Sequence, residues 1–199
     1  MLLKERLRDC RLILASASPR RRQLLADCDL EFVVAPKFEC EESFSETMPS
    51  DEVAEYLSGV KSNAYPCALA QGEILITADT VVVVDDDILG KPADKDEAVV
   101  MLGRLSGRSH RVITGVTLRS CDKRVSFSVT STVKFRHISS EEIDYYIETY
   151  KPFDKAGAYG IQEWIGCVAI EGIEGSFYNV MGLPVQRLYV ELEKFITSE

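Results

Sequence analysis

Side chains that bind transition metals are scarce in this sequence. Only two histidines occur, His110 and His137, and the six cysteines, at 10, 28, 40, 67, 121 and 167, form no C-x-x-C pair. A structural zinc site needs four well-spaced nitrogen or sulfur ligands, and this scatter argues against one. Basic residues are outnumbered, 23 Lys and Arg against 32 Asp and Glu, for a net charge of −9. A general nucleic-acid surface needs a basic face, so that class is disfavoured. A local basic pocket for a small anion is still compatible with the balance. No apolar run reaches membrane-spanning length, and the first eleven residues are charged. Scattered cysteines without a secretory leader point to reduced thiols and a cytoplasmic protein. The G-x-x-x-x-G-K-[ST] phosphate loop is missing, which disfavours that class of NTPase. Internal repeats, low-complexity tracts and evident linkers are missing too.

What is present fits an ordinary globular chain. At 199 residues and 46% hydrophobic content it can bury one large domain, or one domain with two lobes. Its organising stretch runs from Leu12 to Leu25. Leu12-Ile13-Leu14-Ala15 suits a buried strand, Ser16-Ala17-Ser18 a tight turn, and Pro19-Arg20-Arg21-Arg22 the start of a helix. Ser18 is a good N-cap, and proline at the first helical position gives up no useful N–H. Arginine on a first turn opposes the helix dipole, and a bound anion would resolve that conflict.

Further along, Ser50-Asp51-Glu52 opens a helix that carries Lys61 near its middle and kinks or breaks at Pro66. Ile74 to Ala78 and Thr80 to Val84 read as strand, with Asp79 between them. A carboxylate inside such an apolar run is costly unless it is paired, hydrogen-bonded or metal-bound, so Asp79 is the sharpest anomaly of the chain. Asp85-Asp86-Asp87 reads as a hairpin turn, because it lacks the alternate spacing of a calcium loop. Gly90-Lys91-Pro92 presents a lysine in a rigid turn. Residues 94–105 and 139 onward read as helices, the latter with a Ser139–Glu142 capping box, and 109–119 and 123–136 as paired strands. Val168 to Ile170 reads as a short strand, Gly172 to Gly175 as a turn, and Gly182-Leu183-Pro184 as the start of a last helix. This mixture, without strict alternation, predicts an α/β (α+β mixed) fold: a mixed sheet with helices around it.

Taken in order, Ser16-Ala17-Ser18-Pro19-Arg20-Arg21, Lys61, Ala78-Asp79-Thr80, Gly90-Lys91-Pro92, Leu105-Ser106-Gly107, Asp154 to Gln162 and Asn179-Val180-Met181-Gly182-Leu183-Pro184 resemble the Maf-like nucleotide pyrophosphatases over nearly the whole chain. The resemblance implies a single domain over 1–199, with a long mixed sheet and two lobes around a cleft, akin to inosine triphosphate pyrophosphatases. It implies hydrolysis of a nucleoside triphosphate to monophosphate and pyrophosphate, a divalent metal (Mg2+ or Mn2+), a house-cleaning role and a homodimer. Tyr159-Gly160-Ile161-Gln162 looks like the subgroup that prefers dTTP and UTP, with action on modified pyrimidine nucleotides.

Under that resemblance Asp79 would be the general base or a metal holder, helped by Glu41 or Glu42. Arg20, Arg21, Lys61 and Lys91 would neutralise the triphosphate, and Ser16 with the first-turn N–H groups would hold phosphate oxygens. Arg20, Thr80 and Gln162 would tune base choice. The chain departs from the family pattern at Glu163-Trp164, where a glycine and a small or apolar residue are usual. An aspartyl-phosphate phosphatase would want a second aspartate two residues after Asp79, and Val81 stands there instead. A nucleotide-binding regulator of cell division would share the pocket without needing Asp79.

Overall fold

The computed structural model describes residues 1–197, so the last two residues of the expected 1–199 domain lie outside the described residues. A helical turn, α1 (Leu3–Arg6), precedes strand β1 (Arg11–Leu14) and helix α2 (Pro19–Ala26). Then come β2 (Phe32–Val34), α3 (Ser50–Ala64), β3 (Glu73–Val84) and β4 (Asp87–Leu89). The middle of the chain forms α4 (Lys95–Leu105), β5 (Ser109–Arg119), β6 (Arg124–Phe135) and α5 (Ser140–Tyr150). The last part forms α6 (Trp164–Ala169), β7 (Ile170–Glu174), α7 (Phe177–Met181) and α8 (Val185–Thr197). The strands make a mixed sheet in the order β2-β1-β3-β5-β6-β7, with β4 paired to β3. This is the α/β class that the sequence predicts. No helix among the described residues is long and apolar enough to cross a membrane.

The chain divides into two compact units. The first contains Met1–Asp79, Thr114–Val129 and the residues from Gly182 onward; the second contains Thr80–Ile113 and Thr130–Met181.

In the first unit β1 pairs in parallel with both β2 and the start of β3, Leu12 lying opposite Phe32 and Ile74. Strands buried in parallel pairing need near-continuous apolar runs, which Leu12-Ile13-Leu14 and Ile74-Leu75-Ile76 supply. Helix α3 buries Val53, Ala54 and Leu57 on one face. It approaches β5 closely, because a Cβ on Gly115 would lie 2.2 Å from the Ala54 carbonyl oxygen. Only glycine fits there. Hydroxyl groups then lock the helix in register. Thr77 Oγ1 donates to the Ser58 carbonyl at 2.7 Å, and Ser58 Oγ lies 2.8 Å from Thr117 Oγ1.

In the second unit the end of β3 turns back on β4, with Val84 opposite Asp87. Asp85 and Asp86 both take positive φ, 50° and 66°, the pattern of a type I′ hairpin. Each acid of this turn meets an arginine: Arg108 at Asp85, Arg111 at Asp86 and Arg104 at Asp87. The pairs are solvent-facing and worth about 0–1 kcal/mol each. The acids therefore serve the turn. The core of this unit gathers Leu102, Leu105, Val133, Phe135, Tyr146 and Ile165, all nearly inaccessible to solvent.

Two expectations fail in the stretch after Gln162. Val168 lies in a helix, α6, which buries Ile165 and Ala169 at i, i+4 spacing. The strand comes later, and Gly172 sits inside it opposite Lys134. Three apolar residues are too few to distinguish the two periods. The pairing that decides the matter is the antiparallel ladder with β6. Helix α7, not foreseen as an element, follows that strand. Strand β3 runs continuously through Asp79, as the apolar residues on both sides of it predict. Lys61 belongs to the last turn of α3 rather than its middle.

His110 is packed edge-on between Phe135 and Tyr159, at 5.0 and 5.4 Å, with Nε2 2.8 Å from the Tyr159 hydroxyl. Burial pushes its pKa down from 6.5 to about 4. The unfolded chain therefore takes up the proton first, and stability is lost as pH falls from 6.5 towards 4. The shift corresponds to about 3 kcal/mol. Urea denaturation at pH 7 and pH 4.5 should show a smaller loss on acidification for His110→Gln than for the parent. An equal loss would mean that His110 is not held neutral.

Candidate active site

Asp79 lies in the middle of β3 and is 9% exposed. Its position follows from the strand, since residues 73–76 pair with β1 and residues 74–78 are buried. Its partner comes from α3. The hydroxyl lock at Ser58 and Thr77 places Lys61, one turn further along the helix, against Asp79, two residues further along the strand. Lys61 Nζ donates to Asp79 Oδ1 in a short hydrogen bond and lies 3.0 Å from Glu42 Oε2. The burial cost of Asp79 is thus offset by an ion pair, as a carboxylate in an apolar run requires. Of the two glutamates that the sequence left open, Glu42 is the one that reaches this group. Glu41 is exposed on the same loop.

The start of α2 forms as the residues dictate. Pro19 is the first helical residue, and the Ser18 hydroxyl caps the helix by accepting from Arg21 N at 3.4 Å. Ser16 Oγ accepts from Ser18 N at 3.2 Å, which closes the turn. No acidic residue occupies the first turn. Arg20 is half-buried there.

Arg21 differs from expectation. Its Nε donates to the Gly182 carbonyl and its Nη1 to the Ala78 carbonyl, both at 2.7 Å. Burial pulls its pKa down, while Asp79 and Glu42 pull it up. Two of its donors therefore clamp backbone, one of them at the residue before Asp79. Cys40, unremarked in the sequence beyond the cysteine count, lies within the field of the same charges. Burial pushes its thiol pKa up, and Glu42 and Asp79 add to the rise against Lys61.

In the second unit Thr80 is half-buried, whereas Lys91 and Gln162 are exposed. The Gly90-Lys91-Pro92 turn is tied to the glycine-bearing segment, since Gly157 N donates to the Gly90 carbonyl at 3.0 Å. Lys155 is the buried cation of this unit, 2.6 Å from Asp154 and 3.1 Å from Glu163. The sequence marked Lys155 only as part of a motif, and Glu163 only as a departure from it.

The donor set suits a hard cation. Two carboxylates, Asp79 and Glu42, converge on one ammonium, and such oxygens hold magnesium-like ions whose remaining ligands are water and substrate phosphates. No group of three or more His, Cys, Asp or Glu that could cage a metal occurs among the described residues.

An acid held in a strand by lysine, beside a capped helix start bearing arginine, defines an α/β protein equipped for acid–base chemistry on an anion. The family model described as Maf-like protein matches residues 11–195, and the chain belongs to that family. It is 51% identical over 191 residues to a dTTP/UTP pyrophosphatase of Parabacteroides distasonis, covering 96% of this chain and 99% of that protein. It is 48% identical over 190 residues to a dTTP/UTP pyrophosphatase of Phocaeicola vulgatus, covering 96% and 98%. Among solved structures, a HAM1 protein from Coxiella burnetii superposes with a TM-score of 0.48 at 14% identity, over 93% of this chain and 99% of that one.

Replacing Arg21 by lysine removes the planar fork that spans two carbonyls. Arg21→Lys should lower stability by about 2 kcal/mol, the cost of leaving buried carbonyls unsatisfied, as read by urea denaturation. An unchanged midpoint would show that the clamp carries no weight.

Proposed function

We propose that this protein is a nucleoside triphosphate pyrophosphatase that hydrolyses dTTP and UTP to the monophosphate and pyrophosphate. The activity named for the relatives supports the substrate class. The observation that carries the chemistry is Asp79, an acid held inside a buried strand by Lys61.

Water adds to the α-phosphorus, the bond from that phosphorus to the α–β bridging oxygen breaks, and pyrophosphate leaves. Asp79 accepts the proton of the attacking water. Lys61 fixes the orientation of that carboxylate. Ser16, Arg20 and the N-terminal turn of α2 take phosphate oxygens, as a helix N-terminus is suited to do. Arg21 acts through its clamp on the Ala78 carbonyl. Lys91 neutralises triphosphate charge, and Thr80 and Gln162 address the base. Asp79 and Glu42 would hold a divalent ion, Mg2+ or Mn2+, which when bound would lower the pKa of water and offset phosphate charge. Catalysis of this kind is mostly positioning and electrostatics.

A homodimer is part of the same reading; sedimentation equilibrium should return twice the chain mass, and a single chain mass would remove the dimer from it. The decisive assay is pyrophosphate release from dTTP, UTP, CTP, 7-methyl-GTP and ITP with magnesium or manganese. The expected order places dTTP and UTP first. Asp79→Asn should lower kcat by about 10²–10⁴-fold, the usual worth of a general base, while nucleotide still binds. No release from any nucleotide by the parent protein would overturn the reading, and full activity in Asp79→Asn would remove Asp79 from its role.

A further inference from the structure

Two carboxylates of unequal freedom converge on the Lys61 ammonium. Asp79 sits inside β3 with its side chain 13% exposed, and its Oδ1 accepts from Nζ. Glu42 sits on the segment between β2 and α3 with its side chain 44% exposed, and its Oε2 lies 3.0 Å from the same nitrogen. Lys61 belongs to the last turn of α3, whose register the Ser58, Thr77 and Thr117 hydroxyls set. The Glu42 segment is tied at both ends. Phe38 packs edge-on against Tyr65 just after α3, with ring centres 5.7 Å apart, and Met48 N donates to the Ser45 carbonyl at 2.9 Å. Between these ties residues 39–44 form neither helix nor strand. Glu42 can therefore leave Lys61 without unfolding a regular element, whereas Asp79 cannot.

The charges of the group cancel. Asp79 and Glu42 are negative, Lys61 and Arg21 are positive, and Arg21 lies within the field of both carboxylates. A group without net charge has little pull on a lone divalent cation or on a lone phosphate. Its atoms are also engaged. The oxygen that Glu42 gives to the ammonium is one that a hard cation would need. The donor that Lys61 spends on Glu42 is one that a phosphate oxygen would take. A cation and a phosphate arriving together can each take one partner of the pair, the carboxylate going to the cation and the ammonium to the phosphate. Neither charge is then left unpaired, which is the costly outcome for a largely buried lysine. Asp79, fixed in its strand, keeps its bond to Lys61 throughout.

We propose that the Glu42–Lys61 ion pair is a placeholder for the substrate: in the free protein each partner fills the other's binding position, and the pair opens to a divalent cation and a phosphate group together rather than to either alone. This rests on the pyrophosphatase reading above and adds to it a phosphate contact for Lys61 and an order of binding. The cation enters with the nucleotide, not ahead of it. By linkage, the factor by which one raises affinity for the other is the same in both directions.

The test uses the full chain and measures binding rather than turnover. Mn2+ is followed by electron paramagnetic resonance without nucleotide, and α,β-methylene-UTP by calorimetry in EDTA. Lys61→Met releases the Glu42 oxygen and should bind Mn2+ about tenfold more tightly than the parent, within the usual range of coupling between sites. Glu42→Gln releases the Lys61 donor and should bind the metal-free analogue about tenfold more tightly. Glu42 lies on an exposed segment, so this variant keeps the test open if Lys61→Met fails to fold. In the Glu42→Gln background, Lys61→Met should lose most of its gain for Mn2+, since the two residues act as one unit. A gain of equal size in both backgrounds would be a field effect of the lysine charge and would overturn the proposal. Parent-like affinity in either single variant would overturn it too, and pyrophosphate release from dTTP by the parent alongside that result would leave the pyrophosphatase reading standing. An analogue that binds neither parent nor variant, with no turnover of any nucleotide, would overturn the pyrophosphatase reading, and the proposal with it.

Discussion

The Asp79–Lys61 pair is the constraint on which the first unit depends. A carboxylate at the centre of a strand of isoleucine, leucine and valine is tolerated only if a cation meets it, and the cation must come from a rigid element. Helix α3 is that element. The bare backbone of Gly115 lets it approach β5 closely, and the Thr77–Ser58–Thr117 hydroxyl contacts set its register along the sheet. Arg21 adds a second restraint by holding the carbonyl just before Asp79. An acid fixed in this way is pre-organised, so little reorganisation is needed when charge develops on a substrate.

The second unit solves a related problem differently. There the buried cation is Lys155 and the partially buried acid is Glu163, and the tyrosine hydroxyl of Tyr146 shares the load. The result is a carboxylate held at both oxygens. The acidic hairpin at Asp85–Asp87 shows the contrast. Its charges are as numerous, but they face water and contribute to the turn rather than to a site.

Much was legible in local chemistry. Ser18-Pro19 marked the start of α2, Ser139 with Glu142 the capping box of α5, and the apolar runs the buried strands. The desolvation cost of Asp79 and the arginines on a helix start were enough to point to an acid and an anion. The readings that failed share a cause. Val168–Ile170 and Gly172–Gly175 are short segments whose conformation depends on what lies across the ladder, and no local signal encodes the pairing of Gly172 with Lys134. The partners of Arg21 and Glu163 were hidden for the same reason, since an arginine's or a glutamate's partners far along the chain cannot be read from its neighbours.

By itself, then, the sequence determined the types of the longer elements, the family and the residues that carry charge in apolar surroundings, because propensity, periodicity and desolvation cost are properties of short windows. Tertiary structure alone decided which charges meet: that Lys61 pairs with Asp79, that Glu42 rather than Glu41 joins them, that Arg21 clamps backbone, and that Glu163 meets Tyr146 and Lys155. Ion pairs and hydrogen bonds act over a few ångströms, and only the folded chain brings residues 18 to 161 positions apart within that reach.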